Sequence, residues 1–264
     1  MEIIQLIDKA INAALLAGIK IMEVYTSADF RVQVKDDQTP VTLADQNAHD
    51  EILKVLELTQ LPVLSEEGIH LSYSERKKWD LFWLVDPLDG TKEFIKRNDE
   101  FTVNIALIQK NEPIAGVIYT PVSGELYVGI SGVGAFKLRN PPENCTFQTL
   151  QISGKKLPLK AKHDEFVVLV SRSHMNLETE AYIDELRKKH RSLEIIRMGS
   201  SLKICMVAEG TADAYPKIGK TMEWDTAAGH AIAKAAGKNI FLQDLMTELI
   251  YNKADLQNPH FIVL

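Results

Sequence analysis

Two short apolar runs in this chain, residues 61–64 and 81–85, stop abruptly in acid. Ser65-Glu66-Glu67-Gly68 follows the first, and Asp86-Pro87-Leu88-Asp89-Gly90-Thr91 follows the second. An apolar run of four or five residues bounded by turn formers is the pattern of a strand buried on both faces. Each run therefore reads as a buried strand that delivers carboxylates at its tip, and any fold for this chain must place those tips where charge is tolerated.

The rest of the chain supplies the frame. Apolar residues recur at Ile3, Ile7, Ile11, Ala14, Leu15, Gly18, Ile19 and Met22, the three-four spacing of an amphipathic helix over 3–25. The polar segment 35–40 breaks that pattern, and a second helix is expected over 44–58 with Ala48, Ile52, Val55 and Leu56 as its stripe. Residues 101–109, 114–120, 125–130 and 135–138 alternate apolar runs with Gly, Pro and Asn, as an antiparallel meander does. The polar stretch 139–162 holds an expected edge strand over 146–152 and, at Gly154-Lys155-Lys156, an expected boundary. Beyond it, expected strands at 166–170, 193–197, 212–215, 240–242 and 260–264 are interleaved with helices at 178–190, 201–209 and 226–236. The expectation is an α+β first lobe over 1–155 and an α/β second lobe over 156–264.

Composition narrows the partners. With 264 residues and 45% hydrophobic content the chain can bury a substantial core. Thirty Lys and Arg against 36 Asp and Glu give a net charge of −6, and no basic block offers a footprint for a phosphate backbone. Nucleic-acid polymers are therefore not expected as partners. A small anionic ligand is not excluded, because acids that gather divalent cations create a local phosphate site. Cys145 and Cys205 stand sixty residues apart with no CxxC, which suits ordinary thiols in a reducing cytosol. The start lacks a basic n-region, and Asp8, Lys9 and Lys20 interrupt its apolar stretch, so neither a signal peptide nor a spanning helix is expected. A soluble, cytoplasmic protein is anticipated, with peripheral contact at the inner membrane left open, as is the choice between monomer and homodimer.

The chemistry concentrates in a few positions. Asp86 and Asp89, three residues apart at a strand end with Pro87 fixing the bend and Gly90 freeing the backbone, can converge on hard cations that demand oxygen ligands, and the Leu88 carbonyl can join them. Gly90 and Thr91 can then offer N–H groups to a phosphate. Taken by spacing alone the hexapeptide equally fits a plain Asp-Gly turn. Glu66 can bridge the same cations or lie in an exposed turn. Asp225, in Glu223-Trp224-Asp225-Thr226-Ala227-Ala228-Gly229, can cap a helix, ligate a metal, or do both. Asp45, read alone, is a first-turn helix acid.

Taken together, Pro40-Val41-Thr42-x-x-Asp45, Ser65-Glu66-Glu67, Asp86-Pro87-Leu88-Asp89-Gly90-Thr91 and Trp224-Asp225-x-Ala227-Ala228-Gly229 resemble, in order and spacing, the signatures of the inositol monophosphatase superfamily. The resemblance spans residues from about 35 to 232. It implies a layered αβαβα sandwich of the sugar-phosphatase type. It also implies a lithium-sensitive phosphomonoesterase in which Glu66, Asp86, Asp89, Asp225 and the Leu88 carbonyl hold two or three Mg²⁺ ions. Water activated by the cations attacks phosphorus, oriented by Thr91 paired with an acid; Asp45 is favoured for that acid and Asp37 is its competitor. Magnitude agrees with metal chemistry: enhancements of phosphate-monoester hydrolysis approach ~10²¹, whereas a lone general base contributes roughly 10²–10⁴. The chain also lacks a Cys-x₅-Arg loop and a P-loop.

Within that superfamily the chain is most similar to the bisphosphate-nucleotidase branch, the CysQ type. Lys92-Glu93-Phe94-Ile95 stands where inositol monophosphatases usually show Thr-Asn-Phe, and Lys217 stands where they carry a glutamate for inositol hydroxyls. A lysine cannot accept such hydrogen bonds but can neutralise a remote phosphate. Ser171-Arg172-Ser173-His174 and Gly199-Ser200-Ser201-x-Lys203 resemble segments that contact the nucleoside and second phosphate in that branch. Each has a plainer alternative: Lys217 a solvated lysine, His174 a loop or capping residue, Ser200 and Ser201 helix caps. The implied substrate is adenosine 3',5'-bisphosphate, hydrolysed to AMP and phosphate, with its 5'-phosphosulfate analogue as a second. The rivals are an inositol or sugar phosphatase with the same metal site, and a non-catalytic regulator binding Mg²⁺ and a phosphorylated metabolite.

Overall fold

The computed structural model describes residues 1–27, 33–34, 40–69, 71–159, 165–172 and 175–264. Helix α1 (Ile3–Tyr25) is followed by a two-stranded ribbon, β1 (Gln33–Val34) and β2 (Pro40–Val41), and by α2 (Leu43–Leu56), which tightens into a 3₁₀ turn over Glu57–Thr59. Then come β3 (Val63–Ser65), α3 (Tyr73–Arg76), β4 (Leu81–Asp89), α4 (Thr91–Ile95), β5 (Thr102–Gln109), β6 (Glu112–Thr120), β7 (Glu125–Ile130), β8 (Gly134–Arg139), α5 (Phe147–Ser153) and β9 (Lys155–Lys156). The remainder is β10 (Phe166–Ser171), α6 (Leu177–Lys189), β11 (Leu193–Met198), α7 (Leu202–Glu209), β12 (Tyr215–Lys217), α8 (Glu223–Ala235), β13 (Ile240–Leu242) and β14 (Phe261–Val263).

β3 to β9 form one seven-stranded sheet in chain order, with β3 parallel to β4 and every other neighbour antiparallel. Its strands alternate between two cores. Trp83, Val85, Val103, Ile105, Leu107, Val117 and Val128 face α1 and α2, while Phe82, Leu84, Ala106, Ile108, Ile118 and Tyr127 face α7 and α8. Burial on both faces is why β4 reads as an unbroken apolar run rather than an alternating one. On the far side of α7 and α8 lies the parallel pair β10–β11. Val167 and Leu169 of β10 turn to those helices, and Val168 and Val170 turn to Ile183 and Leu186 of α6. Helices, sheet, helices, sheet, helix are the five layers of an αβαβα sandwich, as expected from the resemblance.

Three local expectations are corrected. Residues 146–152 are not an edge strand but enter helix α5: Thr146 accepts Thr149 N at 3.3 Å as an N-cap, and Phe147 and Leu150 are buried at helical spacing while Ile152 is exposed. In α1 the inward face is Leu6, Ile7, Ala10, Ile11, Ala14, Ala17 and Ile21, and Ile19 points to solvent. The strand expected at 212–215 sits further on, at Tyr215–Lys217, where it pairs antiparallel with β14.

Candidate active site

The acids of β4 share a face because the strand is bulged. Asp86 pairs with Asn104 and Asp89 with Thr102, so three steps along β4 oppose two along β5. In a regular strand residues three apart point to opposite faces; the extra residue of a bulge puts Asp86 and Asp89 on one side. Pro87, which has no N–H to give a ladder, sits inside that bulge. The Leu88 N–H donates to Asp86 Oδ1 at 3.1 Å and holds the bend.

Glu66 arrives beside them because β3 runs parallel to β4 as far as Ser65 opposite Val85, and Glu66 N then donates to Val85 O at 3.1 Å. Asp225 arrives from α8, which lies close against the sheet over two glycines. Gly116 and Gly129 are cross-strand partners on β6 and β7. A Cβ at Gly116 would collide with the Ala228 carbonyl, and one at Gly129 would come within 2.5 Å of Ile232 Cα. Contrary to the capping expectation, Asp225 is not the N-cap. α8 begins at Glu223, and Asp225 is its third residue, accepting Met222 N at 2.8 Å. One carboxylate oxygen from each of Glu66, Asp86 and Asp225 then lies within 4.8 Å of the others.

Asp89 stands beside this trio rather than in it. Its Oδ2 accepts Ser201 N at 2.6 Å and Asn104 Nδ2 at 3.4 Å. Burial, and then the charges of Glu66, Asp89 and Asp225, push Asp86 well above the ordinary carboxylate range. Asp225 is pushed the same way by burial, Asp89 and Glu66. Burial also raises Asp89, against which the Lys203 ammonium works. Oxygen-only donors that repel one another in a partly buried site fit a hard divalent cation, which takes carboxylate and carbonyl oxygens and relieves the repulsion.

Asp45 and Thr91 meet across the start of two helices. Asp45 Oδ2 accepts the N–H and hydroxyl of Thr42 at 2.7 and 2.6 Å, a capping box for α2, and Oδ1 accepts the Thr91 hydroxyl at 3.0 Å. Burial raises the Asp45 pKa to about 6 in spite of those hydrogen bonds. Thr91 opens α4 directly after Gly90, whose φ of 97° is a left-handed conformation that a side chain would strain.

A cleft of about 1040 Å³ joins these groups. Glu66, Asp86, Leu88, Asp89, Gly90, Thr91 and Asp225 line it, together with Gly199, Ser200, Ser201, Lys203 and Lys217. Lys217 is buried, which lowers its pKa, while Asp225 and Asp89 raise it. Lys203 is likewise lowered by burial, to about 8, and its Nζ donates to the carbonyls of Met198 and Ser200. Gly199 N donates to Glu100 Oε2 at 2.7 Å, and the Arg172 guanidinium grips the same carboxylate. Ser201 is the N-cap residue of α7 but its hydroxyl turns inward to Asn104 instead of capping, while Ser200 Oγ, one residue earlier, accepts Leu202 N at 3.4 Å. Asp37 and His174 lie outside the described residues. Sequence reasoning passed over Asn104 and Glu100; an asparagine inside the otherwise apolar run 103–108 was the signal available for the first.

Comparisons with known proteins bear on the fold and the family. The profile of the inositol monophosphatase family matches residues 4–256. The chain is 46% identical over 239 residues to a 3'(2'),5'-bisphosphate nucleotidase CysQ of Escherichia coli O157:H7, covering 89% of each chain. It superposes on the crystal structure of CysQ from Bacteroides thetaiotaomicron, a bacterial member of the inositol monophosphatase family, with a TM-score of 0.90 at 51% identity, covering 97% of this chain and 95% of that one. The extragenic suppressor protein SuhB from Bartonella henselae, at 24% identity and a TM-score of 0.73 over 98% of this chain and 93% of the other, shares the fold. With the profile covering nearly its whole length, this chain belongs to the inositol monophosphatase family.

Proposed function

We propose that this chain is a Mg²⁺-dependent phosphomonoesterase that removes the 3'-phosphate of adenosine 3',5'-bisphosphate, giving AMP and inorganic phosphate. The 5'-phosphosulfate analogue would be handled by the same chemistry. The observation that carries the reaction class is the meeting of Glu66, Asp86 and Asp225 in the cleft that Thr91 also lines, with buried Asp45 behind the Thr91 hydroxyl. The nucleotide class is supported by the relatives at 46% and 51% identity, both CysQ proteins.

Glu66, Asp86, Asp89, Asp225 and the Leu88 carbonyl are assigned to two or three Mg²⁺ ions. When bound, these supply positive charge to the phosphoryl oxygens and lower the pKa of a water. Thr91 orients that water. Its hydroxyl faces two acceptors, Asp45 Oδ1 at 3.0 Å and the Leu88 carbonyl at 3.4 Å, and donates to the nearer, charged one, which leaves its lone pairs to accept from the water. Asp45, raised to about 6 by burial, is ionised near neutral pH yet basic enough to draw the proton along the Thr91 hydroxyl. Asp37 is the competing acid for this role. The backbone N–H groups of Gly90 and Thr91 are assigned to the transferred phosphate. Lys217, a buried residue of the cleft lining, is assigned with Gly199, Ser200 and His174 to the nucleoside and its second phosphate; an ammonium lowered by burial gains most from an anionic partner. Inhibition by Li⁺ and a cytoplasmic location belong to the same assignment. No helix among the described residues is long and apolar enough to cross a membrane.

The test is phosphate release from adenosine 3',5'-bisphosphate, inositol 1-phosphate and a simple monoester, each with Mg²⁺ and with chelator. Preference for the bisphosphate and loss of turnover in chelator are expected; preference for inositol 1-phosphate overturns the substrate class, and no turnover on any ester favours a regulator. Lys217→Glu is expected to weaken use of the bisphosphate at least tenfold more than use of the simple monoester, by replacing an attraction with a repulsion.

A further inference from the structure

Asp89 differs from the other cleft acids in how it is held, and the difference runs through residues that no substrate contact requires. Ser201 Oγ lies 2.8 Å from Asn104 Oδ1 and 2.8 Å from Thr102 Oγ1. Thr102, Asn104 and Ser201 are all buried. An amide oxygen can only accept, so the Ser201 hydroxyl must donate to Asn104 Oδ1. Its single proton is then spent, and Thr102 Oγ1 must donate to Ser201 Oγ. With Oδ1 engaged, Asn104 presents Nδ2 to Asp89 Oδ2 at 3.4 Å, the only orientation in which a carboxylate is not faced by another acceptor. The direction of every bond is fixed by elimination: Thr102 to Ser201 to Asn104 to Asp89. The Ser201 N–H adds a second donor to the same carboxylate oxygen at 2.6 Å.

We infer that Thr102, Asn104 and Ser201 form a positioning relay for Asp89, which holds Oδ2 and leaves Oδ1 to ligate a cation. The inference rests on the assignment of Asp89 to the metal site. It reassigns Ser201 from substrate contact to carboxylate orientation, since both its N–H and its hydroxyl are committed within the protein. The relay has a further consequence. Ser201 is the N-cap residue of α7 and closes the segment 199–201 that lines the cleft, whereas Asn104 and Thr102 belong to β5. The relay thereby ties the start of α7 and strand β5 to the same carboxylate. Donor chains of this kind polarise one another and end most favourably on a charged acceptor.

The test is cation binding itself. Mn²⁺, which takes the same oxygen donors, is titrated into the whole protein and followed by loss of its free-ion electron paramagnetic resonance signal, with Mg²⁺ as competitor. Asn104→Ala and Ser201→Ala are each expected to weaken binding about tenfold or more. The double variant should be no weaker than the weaker single one, because both cut the same chain. Thr102→Ser keeps a hydroxyl and should bind as the unsubstituted protein does. Far-UV circular dichroism and thermal melts establish that the variants are folded, and the conservative Thr102→Ser keeps the inference refutable if an alanine variant fails to fold: tenfold weakening there overturns it. Single variants within twofold of the unsubstituted protein, or a double variant whose loss is the product of the singles, overturn it as well. An unsubstituted chain that takes up no Mn²⁺ refutes the metal site and the relay with it, whereas tight binding unchanged in the variants refutes the relay alone.

Discussion

Asp225→Asn isolates the electrostatic cost of the acidic trio. Asparagine keeps a side-chain oxygen for Met222 N, so the start of α8 stays capped while one charge is removed. Carboxylate oxygens 4.8 Å apart repel by about 3.5 kcal/mol per pair at an effective dielectric of roughly 20. Glu66 and Asp225 are only partly buried, so solvent screens part of that repulsion. After that screening about 1–2 kcal/mol is left to be recovered. In chelator at neutral pH the variant should therefore melt higher than the unsubstituted chain by roughly 2–8 °C. Saturating Mg²⁺ should reverse the order, because a ligand that binds only the folded state at 100 times its dissociation constant adds about 2.7 kcal/mol, and the variant forfeits most of it. The assay is a thermal melt of both proteins in chelator and across a Mg²⁺ series. A variant that melts lower than the unsubstituted chain in chelator refutes the repulsion, and an equal Mg²⁺ response in both removes Asp225 from the cation site.

Three further outcomes are expected. Thr91→Val removes the hydroxyl that meets the water while leaving the carboxylates in place, so kcat should fall about 10²-fold or more with Mn²⁺ affinity retained; a kcat within fivefold of normal removes Thr91 from water orientation. Gly116→Val places a side chain against the Ala228 carbonyl, which should cost about 1–3 kcal/mol in urea unfolding and weaken cation binding by lifting the start of α8; unchanged values for both would contradict the close approach. His230, buried between Tyr251 and Asn239, has its pKa lowered by burial to about 4. The unfolded chain therefore takes up a proton near pH 6.5 that the folded chain refuses. The stability that neutral His230 contributes is complete above that pH and is lost as pH falls towards 4, at about 1.4 kcal/mol per unit. His230→Gln should lack this slope, and parallel profiles between pH 4 and 7 would rule it out.

Much of the site was legible before any fold was known. Glu66 directly follows β3 and Asp225 lies in the first turn of α8, ends that hydrophobic periodicity locates, but Asp86 lies inside β4, which runs on through the bulge to Asp89 instead of ending at Val85 as the apolar run suggested. Asp45 and Thr91 were legible only through the resemblance, because forty-six residues separate two groups whose hydrogen bond is their chemistry. Asn104 stayed hidden for the opposite reason: in sequence it is one polar residue in a strand, and its partners come from β4 and from the start of α7.

What the sequence alone determined is local: which runs are buried on both faces, where each element starts, and which acids sit at the ends. The αβαβα layering was implied by the family resemblance, whereas the periodicity of the residues reached only an α+β lobe followed by an α/β lobe. The tertiary structure alone decided convergence. Whether Asp86 and Asp89 face one way depends on a bulge against β5, whether Asp225 reaches Glu66 depends on two glycines letting α8 settle on the sheet, and whether Ser201 serves the substrate or Asp89 depends on a strand it does not adjoin in sequence. Such choices are set by distances between segments remote along the chain, and no short-range pattern encodes a distance.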